Sequence, residues 1–224
     1  MSEQLALIDL PRMPAEWDER EVYYSDPRYV WPLVEYLKRV APACLEHGIV
    51  EPCVGGGALV DGLARFCRGT DLRVVTGDVR NVGADWCGDW TASPSTWTFA
   101  RSPELLQGEI YCAGLVLSNP PFTPVIEIVE ASWRRCPGAV VAMLLPARWY
   151  EPTKRRGPWL RKHNPDRINI GRCEFVRPDG SSAGDGDSTT YEWNVWLSTE
   201  ANGGNGPLGG HHEIIPWKEA PHHG

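Results

Sequence analysis

The chain predicts an α/β fold built on a mainly parallel sheet, with an antiparallel strand pair toward the C-terminus. Three observations carry this. Short β-branched or apolar runs alternate with segments of helical period, the pattern of βαβ units. Val140 to Leu145 is continuously apolar, as in a strand covered on both faces. The turns at 51–57, 77–80 and 118–122 each follow a strand, and in a parallel sheet such turns share one edge.

The elements follow in order. Residues 1–21 are polar and broken by prolines, and they read as an N-terminal arm. Asp26-Pro27 reads as a helix cap followed by proline at the first helical position. Val30, Leu33, Val34, Leu37 and Val40 then recur at helical spacing. Gly48–Glu51 is a short strand running into a glycine turn, and Ala58 to Phe66 is a helix with Leu59, Leu63 and Phe66 inward. Leu72–Thr76 is a second strand. Residues 79–110 are rich in tryptophan and show no clear period. Leu115–Leu117 is a buried strand, and Val125, Ile126, Ile128, Val129 and Trp133 mark the helix after it.

Beyond residue 150 the pattern changes. Arg167–Ile170 and Tyr191–Leu197 read as the two antiparallel strands, joined by PDGSSAGDGDSTT, a Gly/Ser/Asp loop expected to be mobile. The folded domain therefore runs over 22–199. Residues 200–224 read as a flexible tail containing Gly and four of the six histidines. No carboxylate or thiol pattern there completes a metal site.

Composition narrows the class. Of 224 residues, 42% are hydrophobic and 23% charged, a globular balance that excludes a largely disordered chain. The net charge of −7 excludes a generic basic coat for nucleic acid. Seven cysteines with no C-x-x-C pair argue against a disulfide framework or a zinc ribbon, and point to buried or partly buried free thiols in a reducing cytosol. The longest apolar run, Ala139 to Ala147, is nine residues, too short to span a bilayer. The first residues lack a basic stretch ahead of an apolar one, so no signal peptide is expected. A soluble, cytoplasmic protein without a membrane partner is the expectation.

Four short motifs carry chemistry. Glu51-Pro52-Cys53-Val54-Gly55-Gly56-Gly57 joins a strand to a helix, and its glycines let the backbone come close to a ligand. The dinucleotide fingerprint needs glycine at position 60, which is Val60, and the Gly-Lys-Ser/Thr of a triphosphate loop is absent. Asp78 ends the second strand, where a carboxylate can accept two hydrogen bonds from ribose hydroxyls. Asp89-Trp90 offers a carboxylate beside a flat ring, suited to an adenine, and Asp85-Trp86 offers the same pair four residues earlier. Ser118-Asn119-Pro120-Pro121-Phe122 is the most informative stretch. Its prolines lock φ and remove two N–H donors, leaving a rigid edge of acceptors. The Asn119 side-chain oxygen and the Pro120 carbonyl can accept both hydrogens of one planar NH2 group, and Phe122 can stack on the group that carries it.

The order EPCVGGG, GDV, GDW, SNPPF resembles the S-adenosylmethionine-dependent amino-methyltransferases, which act on adenine N6 in DNA, cytosine N4 or a glutamine amide. The Asn-Pro-Pro-aromatic form is most similar to the adenine-N6 branch, and to glutamine-amide and some RNA relatives. Tyr23-Tyr24-Ser25-Asp26-Pro27 resembles that branch's cofactor motif, Tyr-x-Thr-Pro, with Asp26 where the family often has Thr. Its place ahead of the glycine turn implies the gamma-type motif order. The resemblance covers roughly 22–150 and implies a Rossmann-like methyltransferase fold, with the third strand and the helix before it shortened between Asp78 and Asp89.

Carried over by residue, it implies S-adenosyl-L-methionine as cofactor. Tyr24 and Asp26 belong to the cofactor motif. Glu51, Pro52, Gly55 and Gly57 line the methionine part, Asp78 holds the ribose, and Asp89 with Trp90 the adenine. Asn119, Pro120, Pro121 and Phe122 form the catalytic motif that holds the target base. No metal is implied.

Charge distribution bears on the partner. Residues 148–172 hold eight Lys and Arg against Glu151 and Asp166, a net of +6, leaving −13 on the remainder. This basic segment lies just past the last parallel strand and can track DNA phosphates. The expected activity is that of a small DNA adenine-N6 methyltransferase, of the kind found in phages and other mobile elements, whose target base is flipped or single-stranded. A glutamine-amide or RNA methyltransferase, and a catalytically silent cofactor-fold binding protein, are the alternatives.

Overall fold

The computed structural model describes residues 25–67, 72–175, 189–197 and 209–221. The arm at 1–21, Tyr24 and nearly all of the Gly/Ser/Asp loop lie outside the described residues.

Asp26 caps the first helical turn: its carboxylate accepts the Arg28 backbone N–H at 2.8 Å. A 3-10 turn, Pro27–Tyr29, leads into α1 (Val30–Val40), whose apolar stripe is buried. β1 (Gly48–Glu51) passes through the glycine turn into α2 (Ala58–Phe66). Gly62 of α2 is pressed on the carbonyl of Pro27, where a Cβ would lie 2.2 Å from the oxygen. That contact fixes the segment before α1 beside the glycine turn.

β2 (Val74–Asp78) follows, then β3 (Trp86–Cys87) and β4 (Thr98–Phe99) as two-residue strands, and α3 (Pro103–Tyr111). β5 (Ala113–Ser118), α4 (Val125–Arg135) and β6 (Val140–Pro146) complete the alternation. α5 (Arg156–Lys162), β7 (Asp166–Arg172), β8 (Thr190–Trp196) and β9 (His212–Ile214) come last.

The nine strands form one sheet in the order β4-β3-β2-β1-β5-β6-β8-β7-β9. β1 pairs in parallel with β2 on one side and β5 on the other. Strand order therefore reverses at β1, and a crevice opens between the exits of β1 and β5. β6 continues the parallel run, while β8 is antiparallel to both β6 and β7. The expected antiparallel strand pair is thus present.

Helices cover both faces. Val140, Ala142 and Leu144 of β6 join the core under α1 and α2, and Val141, Met143 and Leu145 join the one under α3, α4 and α5. Period-two alternation of a wholly apolar strand divides its side chains between two cores.

Two segments differ from the expectation. Trp86, Trp90 and Trp97 stack with centroids 5.3–5.6 Å apart, and this cluster organises the segment that showed no period. The tail expected from 200 onward is not detached over its described part. β9 pairs in parallel with β7, and Trp217 is buried against Tyr29 with centroids 4.9 Å apart. The Trp217 indole N–H donates to the Arg172 carbonyl at 2.8 Å. An edge strand with open backbone groups and one large apolar side chain outweigh the polar composition around them. Among the described residues no helix is long and apolar enough to cross a membrane, and no three His, Cys, Asp or Glu side chains group as metal ligands.

Candidate active site

β1, β2, β3, β5 and β6 are parallel, so the segments after Glu51, Asp78, Cys87, Ser118 and Pro146 emerge at one sheet edge. The glycine turn is held by β2. Val54 N–H donates to the Gly77 carbonyl and Gly55 N–H to Asp78 Oδ2, both at 2.9 Å. Gly55 and Gly57 take φ of 53° and 80°, the left-handed region that a side chain resists. They lead the chain sharply from β1 into the first turn of α2.

A small cleft lies over this turn. It is lined by Ser25, Glu51, Cys53, Gly55, Leu59 and Asn119, among others. Glu51 is buried, and its Oε2 has no hydrogen-bond partner. Burial first, and the neighbouring Asp78 second, push its carboxyl well above the usual carboxylate range. Burial likewise pushes the Cys53 thiol up to about 12. A buried, unpartnered carboxylate oxygen in a cleft suits a cationic donor, which the α-ammonium of a methionine moiety provides.

Asp78 is buried and already heavily engaged. Besides Gly55, it accepts the Arg80 backbone N–H at 2.9 Å and the Arg80 side chain through Nε at 2.8 Å and Nη2 at 2.9 Å. A ribose at Asp78 has to share these oxygens with Arg80 or displace it. Nothing in the sequence around Asp78 signals this pairing.

The two carboxylate–tryptophan pairs separate. Asp85 stands ahead of β3 and accepts Thr76 N–H at 2.8 Å and Thr76 Oγ1 at 3.1 Å, a brace between strands. Asp89 follows the exit of β3, is exposed, and accepts Thr91 N–H at 2.8 Å. Of the two, Asp89 sits at the edge shared with Asp78. Trp90 turns away: it is buried among Trp86 and Trp97, and its indole N–H donates to Ser132 Oγ at 3.0 Å. The flat ring expected to face an adenine is a core side chain.

At the exit of β5, Asn119 Nδ2 donates to Ser25 Oγ at 3.1 Å. This leaves Oδ1 as the amide's acceptor. Ser25, not Asp26, reaches the cleft. Burial works against the Asp26 carboxylate, but its Arg28 hydrogen bonds prevail and hold it below its usual range. Pro52 and Pro120 are buried, Pro121 is half-buried, and Phe122 lies 6.4 Å from the ring of Tyr191.

Phe122 opens on a second cavity of about 450 Å³, lined with Ile126, Pro146, Arg148, Thr153 and Arg155, among others. Asn119 lines the first cleft and Phe122 the second. The two ends of the Asn-Pro-Pro-Phe segment thus border different cavities.

No protein-family model matches the sequence. No curated protein is similar to it at a significant level. Solved structures do resemble it. A protein from Listeria monocytogenes described as a class I S-adenosylmethionine-dependent methyltransferase aligns with a TM-score of 0.57 at 12% identity, over 90% of this chain and 68% of that one. The methyltransferase subunit of a type I restriction-modification system from Streptococcus thermophilus gives 0.51 at 11% identity, over 80% and 45%. The DNA-bound ATP-dependent type ISP restriction-modification enzyme LlaBIII gives 0.54 at 10% identity, over 94% and 20%. The chain spans less than half of the two restriction-modification proteins. By this likeness over most of its length, the chain has the fold of the class I S-adenosylmethionine-dependent methyltransferases.

Proposed function

We propose that this protein transfers a methyl group from S-adenosyl-L-methionine to the exocyclic N6 amino group of adenine in DNA. One observation carries the reading. A single proline-fixed segment lines two cavities, its Asn119 amide the glycine-turn cleft and its Phe122 ring a cavity rimmed by arginines. A transferase has to bring two reactants into contact at one edge, and this segment borders both sites.

The cofactor's sulfonium would supply an electrophilic methyl group and leave as a neutral thioether, the amino nitrogen losing one proton to solvent as it gains the methyl carbon. The chain supplies the rest. Glu51 faces the ammonium of the methionine moiety, the glycine turn lets the backbone approach it, and Asp78 takes the ribose. Asp89, at the neighbouring exit, is the carboxylate for the adenine. Asn119 Oδ1 and the Pro120 carbonyl accept the two N–H bonds of the target amino group. Both acceptors draw on the nitrogen's hydrogens, so its lone pair leaves the ring conjugation and points at the methyl group. Catalysis is alignment and polarisation, with the acceptors held in advance by prolines and by Ser25.

A glutamine amide presents the same planar NH2. The basic segment 148–172 favours nucleic acid, because phosphates reward clustered arginine and lysine. A base reaches the Asn119 edge only when flipped or single-stranded. The test is transfer of labelled methyl from the cofactor to DNA, RNA and protein, followed by nucleoside mass analysis of digested DNA. N6-methyladenine in the digest, lost with Asn119→Ala, supports the reading. Label found only on a glutamine amide or on RNA replaces it, and folded protein that transfers nothing refutes it.

A further inference from the structure

The second cavity sorts the arginines that line it. Arg155 is engaged by Glu127 of α4, with which it forms an ion pair. Arg156 is half-buried and turned inward: it donates to the carbonyls of Trp149 and Glu151, and its guanidinium lies 5.0 Å from the centre of the Trp149 ring. These two build the walls. Arg148 differs. It sits in the 3-10 turn Ala147–Tyr150 at the exit of β6, is exposed and lines the cavity; its carbonyl accepts the Glu151 N–H, while its guanidinium makes no hydrogen bond or ion pair among the described residues.

The surroundings of Arg148 are those of an anion seat beside a base. Phe122, Ile126 and Pro146 give an apolar wall, Thr123 and Thr153 add hydroxyl donors, and Glu151, whose carbonyl takes an Arg156 bond, is an acid in the lining. The volume of about 450 Å³ is large enough for a nucleotide. From this cavity we infer that Arg148 is the phosphate ligand of the substrate site, binding the backbone phosphate of a nucleotide seated against Phe122, while Arg155 and Arg156 shape the cavity without contacting phosphate.

This rests on the nucleic-acid reading above and sharpens it. A guanidinium with open donors can grip a phosphate through two parallel hydrogen bonds. One that is spent on a carboxylate or on backbone carbonyls has fewer left to give. The segment's charge alone would treat all three arginines alike.

The experiment is binding of an adenine-containing oligonucleotide by the full chain with cofactor present, at several salt concentrations. Arg148→Ala should weaken binding several-fold and lower the slope of log K against log salt by about 0.7 for a single strand or 0.9 for a duplex, one phosphate's worth. Arg134→Ala is the control, since Arg134 is exposed in the last turn of α4. That helix returns from the exit of β5, so Arg134 lies at the far edge of the sheet. An oligonucleotide with one neutral methylphosphonate linkage next to the target should erase the difference between wild type and Arg148→Ala.

An unchanged slope in Arg148→Ala, or a loss equalled by Arg134→Ala, overturns the inference and leaves Arg148 a solvated side chain. A loss that persists with neutral linkages on either side of the target also overturns it. Wild-type protein that ignores oligonucleotides but methylates a glutamine amide overturns the nucleic-acid reading itself, and the inference with it. Wild-type protein that methylates DNA while Arg148→Ala keeps its slope overturns the inference alone.

Discussion

Asn119 and Ser25 lie 94 positions apart in the chain, yet the Asn119 amide donates to the Ser25 hydroxyl at 3.1 Å. The bond joins the exit of β5 to the residue before the Asp26 cap, and it sets which end of the amide is the acceptor. Ser25→Ala should leave Asn119 free to rotate. Turnover should fall about threefold to tenfold, the worth of a neutral hydrogen bond at roughly 0.5–1.5 kcal/mol, with little change in KM for the cofactor. Ser25→Thr keeps the hydroxyl and should restore most of the rate. Steady-state kinetics on the preferred substrate reads both, and no effect on kcat would remove Ser25 from the machinery.

Asn119→Ala deletes the acceptor itself but leaves the proline-fixed backbone. Single-turnover methylation at saturating cofactor should slow by about 10²-fold or more, on the scale of one lost preorganised polar contact. Phe122→Ala should instead weaken capture of the base by about 1–3 kcal/mol, the worth of one stacking face, and Phe122→Trp should be milder. Equal effects on rate and binding from both changes would contradict the division of roles.

Glu51 carries a sign that is easy to test. Burial, and then Asp78, raise its carboxyl in the folded protein. The folded state therefore binds its proton more tightly than the unfolded chain. Its contribution to stability is full below the ordinary carboxylate range, near pH 4.3, and is lost as pH rises through the raised value. Without cofactor, Glu51→Gln should melt higher than wild type in neutral and alkaline buffer, with the gap closing in acid. The same change should weaken cofactor binding, because a neutral amide cannot pair with an ammonium. Below the raised value, wild-type binding should release about one proton, detectable by calorimetry in buffers of different ionisation enthalpy. Equal melting at every pH would show that folding does not raise the Glu51 carboxyl.

Asp78→Asn keeps an acceptor for Gly55 N–H but loses the charge shared with Arg80. Cofactor affinity should fall by about 1.5–3 kcal/mol, the worth of a hydrogen bond to a charged group. Titration calorimetry checks it, and wild-type affinity in Asp78→Asn would move the ribose elsewhere.

Trp217→Ala tests the tail. The ring is buried on Tyr29, lies under Arg28 at 4.5 Å and donates to the Arg172 carbonyl. Its loss should cost about 3–5 kcal/mol in denaturant unfolding, as for other large-to-small core changes. A cost below 1 kcal/mol would return this segment to a detached tail.

Much of the scaffold was legible from local signals. Asp26-Pro27 marked the entry to α1 because a capping carboxylate and a fixed φ act within three residues. The apolar spacing bounded α2 at Ala58 and Phe66, and the unbroken run of β6 announced burial on both faces. The glycine turn and the Asn-Pro-Pro-Phe segment were readable for the same reason: both are stretches whose backbone is dictated by their own residues. What the chain did not disclose locally depends on partners far along it. β3 and β4 are two residues each and owe their place to a tryptophan stack, which has no period. Trp90 read as a ligand face because a ring beside a carboxylate looks the same whether it points to solvent or to the core. Ser25 at Asn119, Arg80 on Asp78 and the open guanidinium of Arg148 among committed neighbours came only with the fold. A hydrogen bond or ion pair between side chains depends on where the backbone carries them, and that position is the sum of every packing contact between.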